Sequence, residues 1–227
     1  MATNEPYKNI IKNELKKLKK PVYIKVFTSL KTNPDGSKVR ECVDCTQTMN
    51  ILRIYEENSN GLLKIQELSI NDNPEFAQKY DIQRVPTILL LDDNGREIIR
   101  YLANPIGQEL QPFVKALFAL GGGPNYYENA IKQNISRIDP TTIKIMITMS
   151  CPYCPKVVEA ANLFAIASNG KIRSVVVDIM NNPDIGQYYN SEGVPYTIIN
   201  ERKPIQGMVG PEVLLRELIG SNINIQY

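Results

Sequence analysis

The chain has 227 residues, of which 26 are basic and 24 are acidic, so its net charge is only +2. This length is sufficient for two domains of ordinary size. The balanced charge gives no electrostatic reason to expect a nucleic acid or an anionic membrane as a partner. The first twenty residues lack the continuous apolar stretch of a signal peptide, and the longest aliphatic run, 88–91, is far too short to span a bilayer. We therefore expect a cytoplasmic protein.

The first half of the chain predicts an alternation of helices and strands. Apolar residues at helical spacing favour an amphipathic helix over 5–19, which Pro21 ends. Asn60-Gly61 is a typical helix end, and Asp93-Asn94-Gly95 favours a hairpin turn between two strands. In chain order, the further predicted elements are strand 22–28, helix 46–58, strand 62–70, short helix 74–80, strands 87–91 and 96–102, and helix 108–120.

Gly121-Gly122-Gly123-Pro124 predicts a domain boundary, because three glycines end a helix and a proline prevents its continuation. We expect an N-terminal unit over 1–120, a linker over 121–124 and a C-terminal unit over 125–227. The second unit repeats the order of the first, with helix 125–138, strand 143–149, helix 155–167, strand 172–178, short helix 184–189, strands 196–199 and 205–209, and helix 212–219. This order implies an α/β fold in which each unit has its own core and a mixed sheet with helices on both faces.

Both units contain a Cys-x-x-Cys pair and a Val-Pro pair at the same spacing. Cys42 and Cys45 precede Val85-Pro86, and the proline follows the first cysteine by 44 residues (86 − 42). Cys151 and Cys154 precede Val194-Pro195 at the same distance (195 − 151). When 49 positions from each first cysteine onward are compared at an offset of 109 (151 − 42), twelve are identical. Unrelated segments would share about three, so a gene duplication explains the two units.

The spacing of the cysteines indicates redox chemistry. Cys42–Cys45 and Cys151–Cys154 are the natural local disulfides, but so small a loop contributes little to stability. Each pair lies where a predicted strand meets a predicted helix. The first cysteine is therefore expected at a helix N-terminus, where N–H groups and the macrodipole favour a thiolate. We predict Cys42 and Cys151 as nucleophiles, and Cys45 and Cys154 as the thiols that resolve the mixed disulfide with a substrate.

Zinc binding is the alternative chemistry for the cysteines, because Cys-x-x-Cys supplies two tetrahedral ligands. A four-cysteine site would have to unite residues from both units, and the chain has no histidine that could take the place of one of them. We expect no bound metal. A zinc-binding or chaperone-like protein, in which the cysteines are ligands or idle, remains the alternative outside enzymes.

The Val-Pro pair downstream of each Cys-x-x-Cys resembles the thioredoxin superfamily. That resemblance implies that the bonds before Pro86 and Pro195 are cis and that each proline faces its cysteine pair. It also implies that Val85, Pro86, Val194 and Pro195 bind substrate, with backbone hydrogen bonds to an extended peptide. Binding of this kind makes little demand on the peptide's sequence. The fold expected is therefore two tandem thioredoxin-like units.

A more specific resemblance covers almost the whole chain. The tandem arrangement and the segments Thr148–Pro155 (TMSCPYCP), Tyr101–Gly107 (YLANPIG) and Asn134–Asp139 (NISRID) are similar to the protein disulfide oxidoreductases of thermophilic archaea and bacteria. This resemblance implies an enzyme that reduces, oxidises or isomerises the disulfides of client proteins. Its redox-active disulfides would replace a bound cofactor, and an NADPH-dependent thioredoxin reductase would supply electrons. An electron carrier devoted to one client, such as a peroxiredoxin, is the alternative within enzymes.

Two features depart from that family's pattern. The first cysteine follows Ile24 by 18 residues but follows the corresponding Ile143 by only eight, so the first unit has ten extra residues. Asn33-Pro34-Asp35-Gly36 is a turn signal within them, and we expect a protruding loop over 29–41. In addition, no acidic residue precedes either cysteine pair within its strand, so the sequence does not predict the buried carboxylate of thioredoxins.

The residues between the cysteines predict that the two pairs differ. The negative charge of Asp44 should disfavour ionisation of Cys42. Pro152 and Tyr153 bring no charge near Cys151, and Pro152 suits the first turn of a helix. We therefore expect the second pair to carry most of the reduction of protein disulfides.

Overall fold

The computed structural model describes residues 5–202 and 204–220. Its helices are α1 (Glu5–Leu15), α2 (Cys45–Glu57), α3 (Pro74–Lys79), α4 (Leu110–Leu120), α5 (Glu128–Asn134), α6 (Cys154–Ala167), α7 (Pro183–Tyr188) and α8 (Pro211–Gly220). Its strands are β1 (Val22–Thr28), β2 (Leu30–Thr32), β3 (Lys38–Arg40), β4 (Leu63–Ser69), β5 (Thr87–Leu91), β6 (Glu97–Leu102), β7 (Thr141–Ile147), β8 (Ile172–Asp178), β9 (Tyr196–Ile199) and β10 (Ile205–Gln206). Short 3-10 helices occupy Gly107–Glu109 and Ile135–Arg137. None of these helices has the length and apolar composition needed to cross a membrane.

Most predicted elements form close to their expected bounds, and β1, β5, β8 and β9 agree at both ends. The largest differences are at the ends of helices. The chain leaves α1 at Leu15 instead of continuing to 19, and the N–H groups of Lys19 and Lys20 donate to the carbonyl of Gly121 (2.8 and 3.2 Å). The helix predicted over 125–138 divides into α5 and the following 3-10 turn.

Eight of the described strands form one mixed sheet, in the order β10-β9-β7-β8-β6-β5-β1-β4. In the first half, β1 is parallel to β4 and antiparallel to β5, and β5 is antiparallel to β6. The second half repeats this pattern for its first three strands, with β7 parallel to β8 and antiparallel to β9. The halves meet where β6 pairs in parallel with β8, from Ile99 beside Ser174 to Leu102 beside Val177.

The mixed sheets expected for the two units are joined into one continuous sheet through β6 and β8. In an isolated unit β6 and β8 would both be edge strands, with a row of unpaired backbone groups. Their pairing satisfies those groups and buries Ile99, Tyr101 and Val176 completely. A division of the chain at 121–124 stays a prediction, because both the sheet and its helical layer continue from one unit into the other.

The largest hydrophobic core contains residues from both units. The two units therefore bury this core together. It contains Tyr55 and Phe113 from the first unit and Phe164 from the second, and α4 packs against α6 across the boundary. On β5 the side chains alternate, with Leu90 in the shared core and Leu89 in a smaller core beside α3. A similar small core lies beside α7. Helices therefore cover both faces of the sheet, as predicted.

Polar side chains also connect the units. The buried amide of Asn162 on α6 donates to the hydroxyl of Tyr101 on β6 (2.8 Å), and its oxygen accepts from the hydroxyl of Ser174 on β8 (2.7 Å). An ion pair between Lys115 on α4 and Glu159 on α6 (2.8 Å) joins the two helices. Since unsatisfied polar groups are costly in a core, the Asn162 network favours a fixed arrangement of the two units.

Within the loop expected over 29–41, residues 30–40 form a β-hairpin, β2 paired with β3, which the sequence did not predict. Its strands have only three residues each, too few for a sequence pattern to show. The hairpin is tied to the main sheet by Arg40, whose guanidinium donates twice to the carboxylate of Glu67 on β4 (2.6 Å each). This pair is largely buried, and Glu67 also accepts from the hydroxyl of Thr28 (2.8 Å). The hairpin is therefore anchored beside the carboxyl ends of β1 and β4.

Candidate active sites

Both cysteine pairs lie at the same end of the sheet. The strands β1, β4, β6, β7 and β8 run in one direction, so their carboxyl ends meet at that end. The cysteine pairs follow β1 and β7 along the chain. These two strands are four positions apart in the sheet, which corresponds to about 19 Å at about 4.8 Å per strand.

The second site is built around a disulfide between Cys151 and Cys154, whose Cα atoms are 5.6 Å apart. α6 begins at Cys154, so Cys151 lies three residues before the first helical residue, at the N-terminal end of the helix. Its Sγ atom accepts the N–H of Cys154 (3.1 Å). An N–H of the first helical turn thus stabilises negative charge on this sulfur. Cys154 is fully buried, and Cys151 is 6% exposed.

Each Val-Pro pair and the strand that follows it are called a proline strand: Val85-Pro86 with β5, and Val194-Pro195 with β9. The proline strand of the second unit faces the second disulfide. The bond between Val194 and Pro195 is cis, as predicted, and the Val194 carbonyl oxygen lies 3.8 Å from Sγ of Cys151. Pro152 is exposed, and so is Tyr153, with 58% of its surface accessible. The structure therefore brings together the cysteines, the Val-Pro pair and both intervening residues that the sequence singled out in this unit.

The first site has the same elements but a different hydrogen bond to sulfur. Cys42 and Cys45 form a disulfide with Cα atoms 5.4 Å apart, and α2 begins at Cys45. Sγ of Cys42 accepts the backbone N–H of Ser29 (3.4 Å), which directly precedes β2 of the inserted hairpin. The bond between Val85 and Pro86 is cis, as predicted. The insertion therefore contributes to the surroundings of this sulfur.

A cleft of about 350 Å³ opens beside Cys42. From the first unit it is lined by Glu41, Cys42, Val43, Asp44, Val85, Pro86, Leu102, Ala103 and Asn104, and from the second unit by Asn181 and Asn182. Asp44 accepts a hydrogen bond from the amide of Asn181 (2.9 Å), so it faces the second unit. Sequence reasoning missed Asn181 and Asn182, because nothing in the repeat places them beside the other unit's cysteines.

The sequence did not predict two buried carboxyl groups, those of Glu109 before α4 and Asp178 at the end of β8. Glu109 is fully buried, and neither of its carboxyl oxygens has a hydrogen-bond partner among the described residues. Burial, together with the nearby charge of Asp178, raises the pKa of Glu109 to about 8. Asp178 ends β8 and is 2% exposed, and burial also raises its pKa. Glu109 was detectable in principle, because it lies four residues before Phe113 on the apolar face of the helix predicted over 108–120.

Glu109 belongs to the second site by position. The 3-10 turn that carries it packs against α6. Gly107 in the same turn has a positive φ of 56° and lies beside the carbonyl of Met149, two residues before Cys151. The turn that carries this carboxyl therefore belongs to the first unit of the chain but packs against the helix of the second site.

Metal ligands are not grouped in the part of the chain that the structure describes. There, no three or more His, Cys, Asp or Glu side chains are close enough together to hold a metal ion. The four cysteines are joined as two disulfides.

Comparison with known proteins gives one family model and several relatives. Residues 141–220 match the model described as a thioredoxin domain. The alkyl hydroperoxide reductase component AhpF of Escherichia coli (strain K12) is 27% identical over 184 residues, which are 79% of this chain and 35% of the relative. The same component of Pseudomonas putida is 25% identical over 212 residues, 93% of this chain and 36% of the relative. The chain thus spans about a third of the length of these two relatives.

Two solved structures agree with the chain over nearly its whole length. The NTD_N/C domain of alkylhydroperoxide reductase AhpF from Enterococcus faecalis (V583) covers 96% of this chain and 100% of its own, with a TM-score of 0.80 and 20% identity, which shows a common fold. A protein disulfide oxidoreductase from Aeropyrum pernix K1 covers 97% of this chain and 94% of its own, with a TM-score of 0.82 and 28% identity. Fold and sequence agree with this oxidoreductase throughout, and both cysteine pairs of the chain lie at the carboxyl end of the sheet, so the chain is similar to thioredoxin-like disulfide oxidoreductases over nearly its whole length.

Proposed function

We propose that the chain exchanges disulfides with polypeptide clients, with Cys42 and Cys151 as attacking thiols and Cys45 and Cys154 as resolving thiols. The observation that carries this proposal is the geometry at the second site. The sulfur of Cys151 is the less buried of the pair, accepts an N–H of the first helical turn and lies beside the Val194 carbonyl. The fully buried sulfur of Cys154 can be reached by Cys151 but not by a large client.

The proposed reaction moves two electrons in two steps. The Cys151 thiolate attacks one sulfur of a client disulfide, so that a mixed disulfide forms and the client's other sulfur leaves as a thiolate. The Cys154 thiolate then attacks Sγ of Cys151. This step closes the Cys151–Cys154 disulfide and releases the second client sulfur as a thiolate, which takes up a proton. The same steps in reverse oxidise a client dithiol.

Polypeptide recognition is assigned to the proline strands. Val85 and Pro86 at the first site, and Val194 and Pro195 at the second, present backbone groups next to the disulfides. An extended client segment can bind to such backbone groups as an added strand, which demands little of its sequence. The resemblance to protein disulfide oxidoreductases supports an NADPH-dependent thioredoxin reductase as electron source and the cytoplasm as the compartment.

A second candidate function is electron transfer to a peroxiredoxin. Its support is the similarity to the alkyl hydroperoxide reductase component AhpF over 79% of the chain. A carrier of this kind would use the same sulfur chemistry but would react with one client much faster than with others. Rates of oxidation of the reduced chain by a peroxiredoxin disulfide and by an unrelated protein disulfide separate the two functions.

The two sites are proposed to differ in strength. The carboxylate of Asp44 lies in the cleft beside Cys42, whereas Pro152 and Tyr153 carry no charge. A negative charge close to Cys42 disfavours its thiolate, and a thiolate is the attacking species. The second site therefore carries most reduction of client disulfides.

Glu109 is a further group of the second site. At neutral pH most of this carboxyl is protonated, because its pKa is raised to about 8 by burial. A group with such a pKa is suited to hold and release a proton close to neutral pH.

Replacement of a resolving cysteine should trap clients. Cys154→Ser and Cys45→Ser leave the mixed disulfide without its intramolecular exit, so both variants should accumulate covalent adducts with a disulfide-bonded client such as insulin. Non-reducing electrophoresis measures the adducts. The double variant Cys151→Ser/Cys154→Ser is the control for the second site and should form none there. If neither single variant forms adducts while the wild type turns over, the assigned roles are wrong.

The asymmetry between the sites is tested by activity and alkylation. Cys151→Ser should reduce insulin turnover more than Cys42→Ser does. Asp44→Asn should increase the rate at which iodoacetamide alkylates reduced Cys42 at pH 7, because a repelling charge is removed. Asp72→Asn, in the same unit but paired with Lys38 on the hairpin (2.6 Å), is the matched control. Equal losses from the two cysteine variants, with no change of alkylation in Asp44→Asn, would contradict the proposed difference.

Glu109 should make stability depend on pH. Its pKa is about 8 in the folded protein but about 4.3 in an unfolded chain. Between these values the folded protein binds a proton that the unfolded chain has lost, so the free energy of unfolding falls as pH rises. The slope reaches about 1.4 kcal/mol per pH unit. Urea unfolding from pH 5 to pH 8 should show this decline in the wild type and a flatter profile in Glu109→Gln.

The exposed residue Glu75 on α3 provides the control for this prediction. Glu75→Gln should keep the wild-type decline of stability with pH. If Glu109→Gln keeps that decline as well, the carboxyl does not hold its proton in the folded protein.

A further inference from the structure

We propose that the second unit completes the client-binding cleft of the first site, so that Cys42 reacts efficiently only with disulfides in a polypeptide segment that lies across the boundary between the units. This inference rests on the proposed function at Cys42. Beyond that function, residues of the second unit would position clients at Cys42, and the first site would discriminate polypeptide disulfides from small-molecule disulfides.

Both units line the cleft. Cys42, Val85 and Pro86 form its inner part, and Asn181 and Asn182 from the loop after β8 form part of its wall. The amide of Asn181 donates to the carboxylate of Asp44 (2.9 Å), so Asn181 is held against the first site. A client segment that reaches the Cys42 sulfur along Val85 must therefore lie against the second unit.

Asn182 is held in place from both units. Its amide donates to the carbonyl of Leu102 at the end of β6 (3.0 Å) and to the carbonyl of Asp178 (2.9 Å). Its side-chain oxygen accepts from the guanidinium of Arg84 (3.2 Å). The residue is only 8% exposed. This wall of the cleft is therefore a fixed part of the structure.

Arg84 connects this wall to the proline strand. It directly precedes Val85, and its guanidinium donates to both carboxylate oxygens of Asp184 on α7 (3.0 and 2.9 Å). A bidentate arginine–carboxylate pair fixes orientation as well as distance. The Arg84 carbonyl also accepts from the hydroxyl of Thr87 (2.6 Å). The backbone that would receive a client at Val85 is thus held by the second unit on one side and by β5 on the other.

The repeat shows that this arrangement is particular to the first site. At the offset of 109 residues, Gly193 corresponds to Arg84. A Cβ atom at Gly193 would approach only the side-chain nitrogen of Gln206, at 3.9 Å, so space is not the reason for the glycine. In the order of the sheet, the proline strand of the second unit has β10 beyond it and no further unit. The second site therefore lacks this inter-unit contact among the described residues.

A purely stabilising role for the ion pair predicts a small effect. Asp184 is 66% exposed in its side chain and Arg84 33%, and ion pairs with this exposure contribute little to stability. A role in positioning the client strand predicts a change in KM for polypeptides instead. The two roles can therefore be separated by kinetics.

The experiment isolates the first site in the full chain with Cys151→Ser/Cys154→Ser. Into this parent we introduce Asp184→Asn, Asp184→Arg and the charge exchange Arg84→Asp/Asp184→Arg. Each reduced variant is assayed with insulin and with the small disulfide 5,5′-dithiobis(2-nitrobenzoate). We expect KM for insulin to rise about fivefold or more in the two single variants, which corresponds to about 1 kcal/mol. The charge exchange should restore much of this loss, and kcat/KM for the small disulfide should change less than about twofold.

Glu159→Gln is the matched control. It breaks another ion pair between the units, Lys115–Glu159 on α4 and α6, far along the chain from the cleft residues. In the same parent it should leave both activities at the parent's values. A rise of KM in this control equal to that of Asp184→Asn would overturn the inference, because general loosening of the two units would then explain both.

The remaining outcomes separate the function of Cys42 from the role of the second unit. If the parent itself reacts with the small disulfide but not with insulin, the proposed function at Cys42 is wrong. If the parent reduces insulin and Asp184→Arg leaves KM unchanged, only the role of the second unit is wrong. An equal loss with insulin and with the small disulfide would also reject that role, because the cleft would then not select between them.

Discussion

The parallel pairing of β6 with β8 is the constraint on which the rest of the structure depends. It continues the hydrogen bonding of one four-stranded half into the other and so fixes their relative direction. Because β1 and β7 then run the same way, both cysteine pairs are presented at one end of the sheet. The same pairing brings the loop after β8 beside the end of β6, where Asn182 bonds to Leu102 and the cleft at Cys42 gains its second wall. It also accompanies the packing of the 3-10 turn that carries the fully buried Glu109 against α6 of the second unit.

Local signals in the sequence predicted much of the fold. The repeated glycine and proline positions and the period of apolar residues placed β1, β5, β8 and β9 at their observed bounds. These signals succeed because they depend on backbone conformation within a few residues. The arrangement at the cysteines was predictable from a resemblance. Cys-x-x-Cys, followed at equal spacing by Val-Pro in both units, resembles the thioredoxin superfamily, and both Val-Pro bonds are cis as that resemblance implied.

The features that the sequence did not predict all depend on contacts between distant residues. The hairpin over 30–40 has strands too short for a pattern, and it is stabilised by Arg40 and Glu67, 27 residues apart. The amide of Asn181 reaches Asp44 across 137 residues. Glu109 lies on the apolar face of a predicted helix, but a protonated carboxyl follows only from knowing that α6 and β8 bury it. The internal repeat also made the cleft harder to predict. A repeat suggests two equal sites, and it gives no information on how one unit lies against the other.

Electron stoichiometry shows whether both disulfides exchange electrons with polypeptide clients. The fully reduced chain is mixed, without oxygen or other reductant, with an excess of insulin, and the insulin thiols formed and the disulfides of the chain are then mapped by mass. Four client thiols per chain are expected, because two pairs each transfer two electrons, with Cys42 joined to Cys45 and Cys151 to Cys154. Recovery of reduced cysteines that hold zinc, with no client thiols, would refute exchange at both sites.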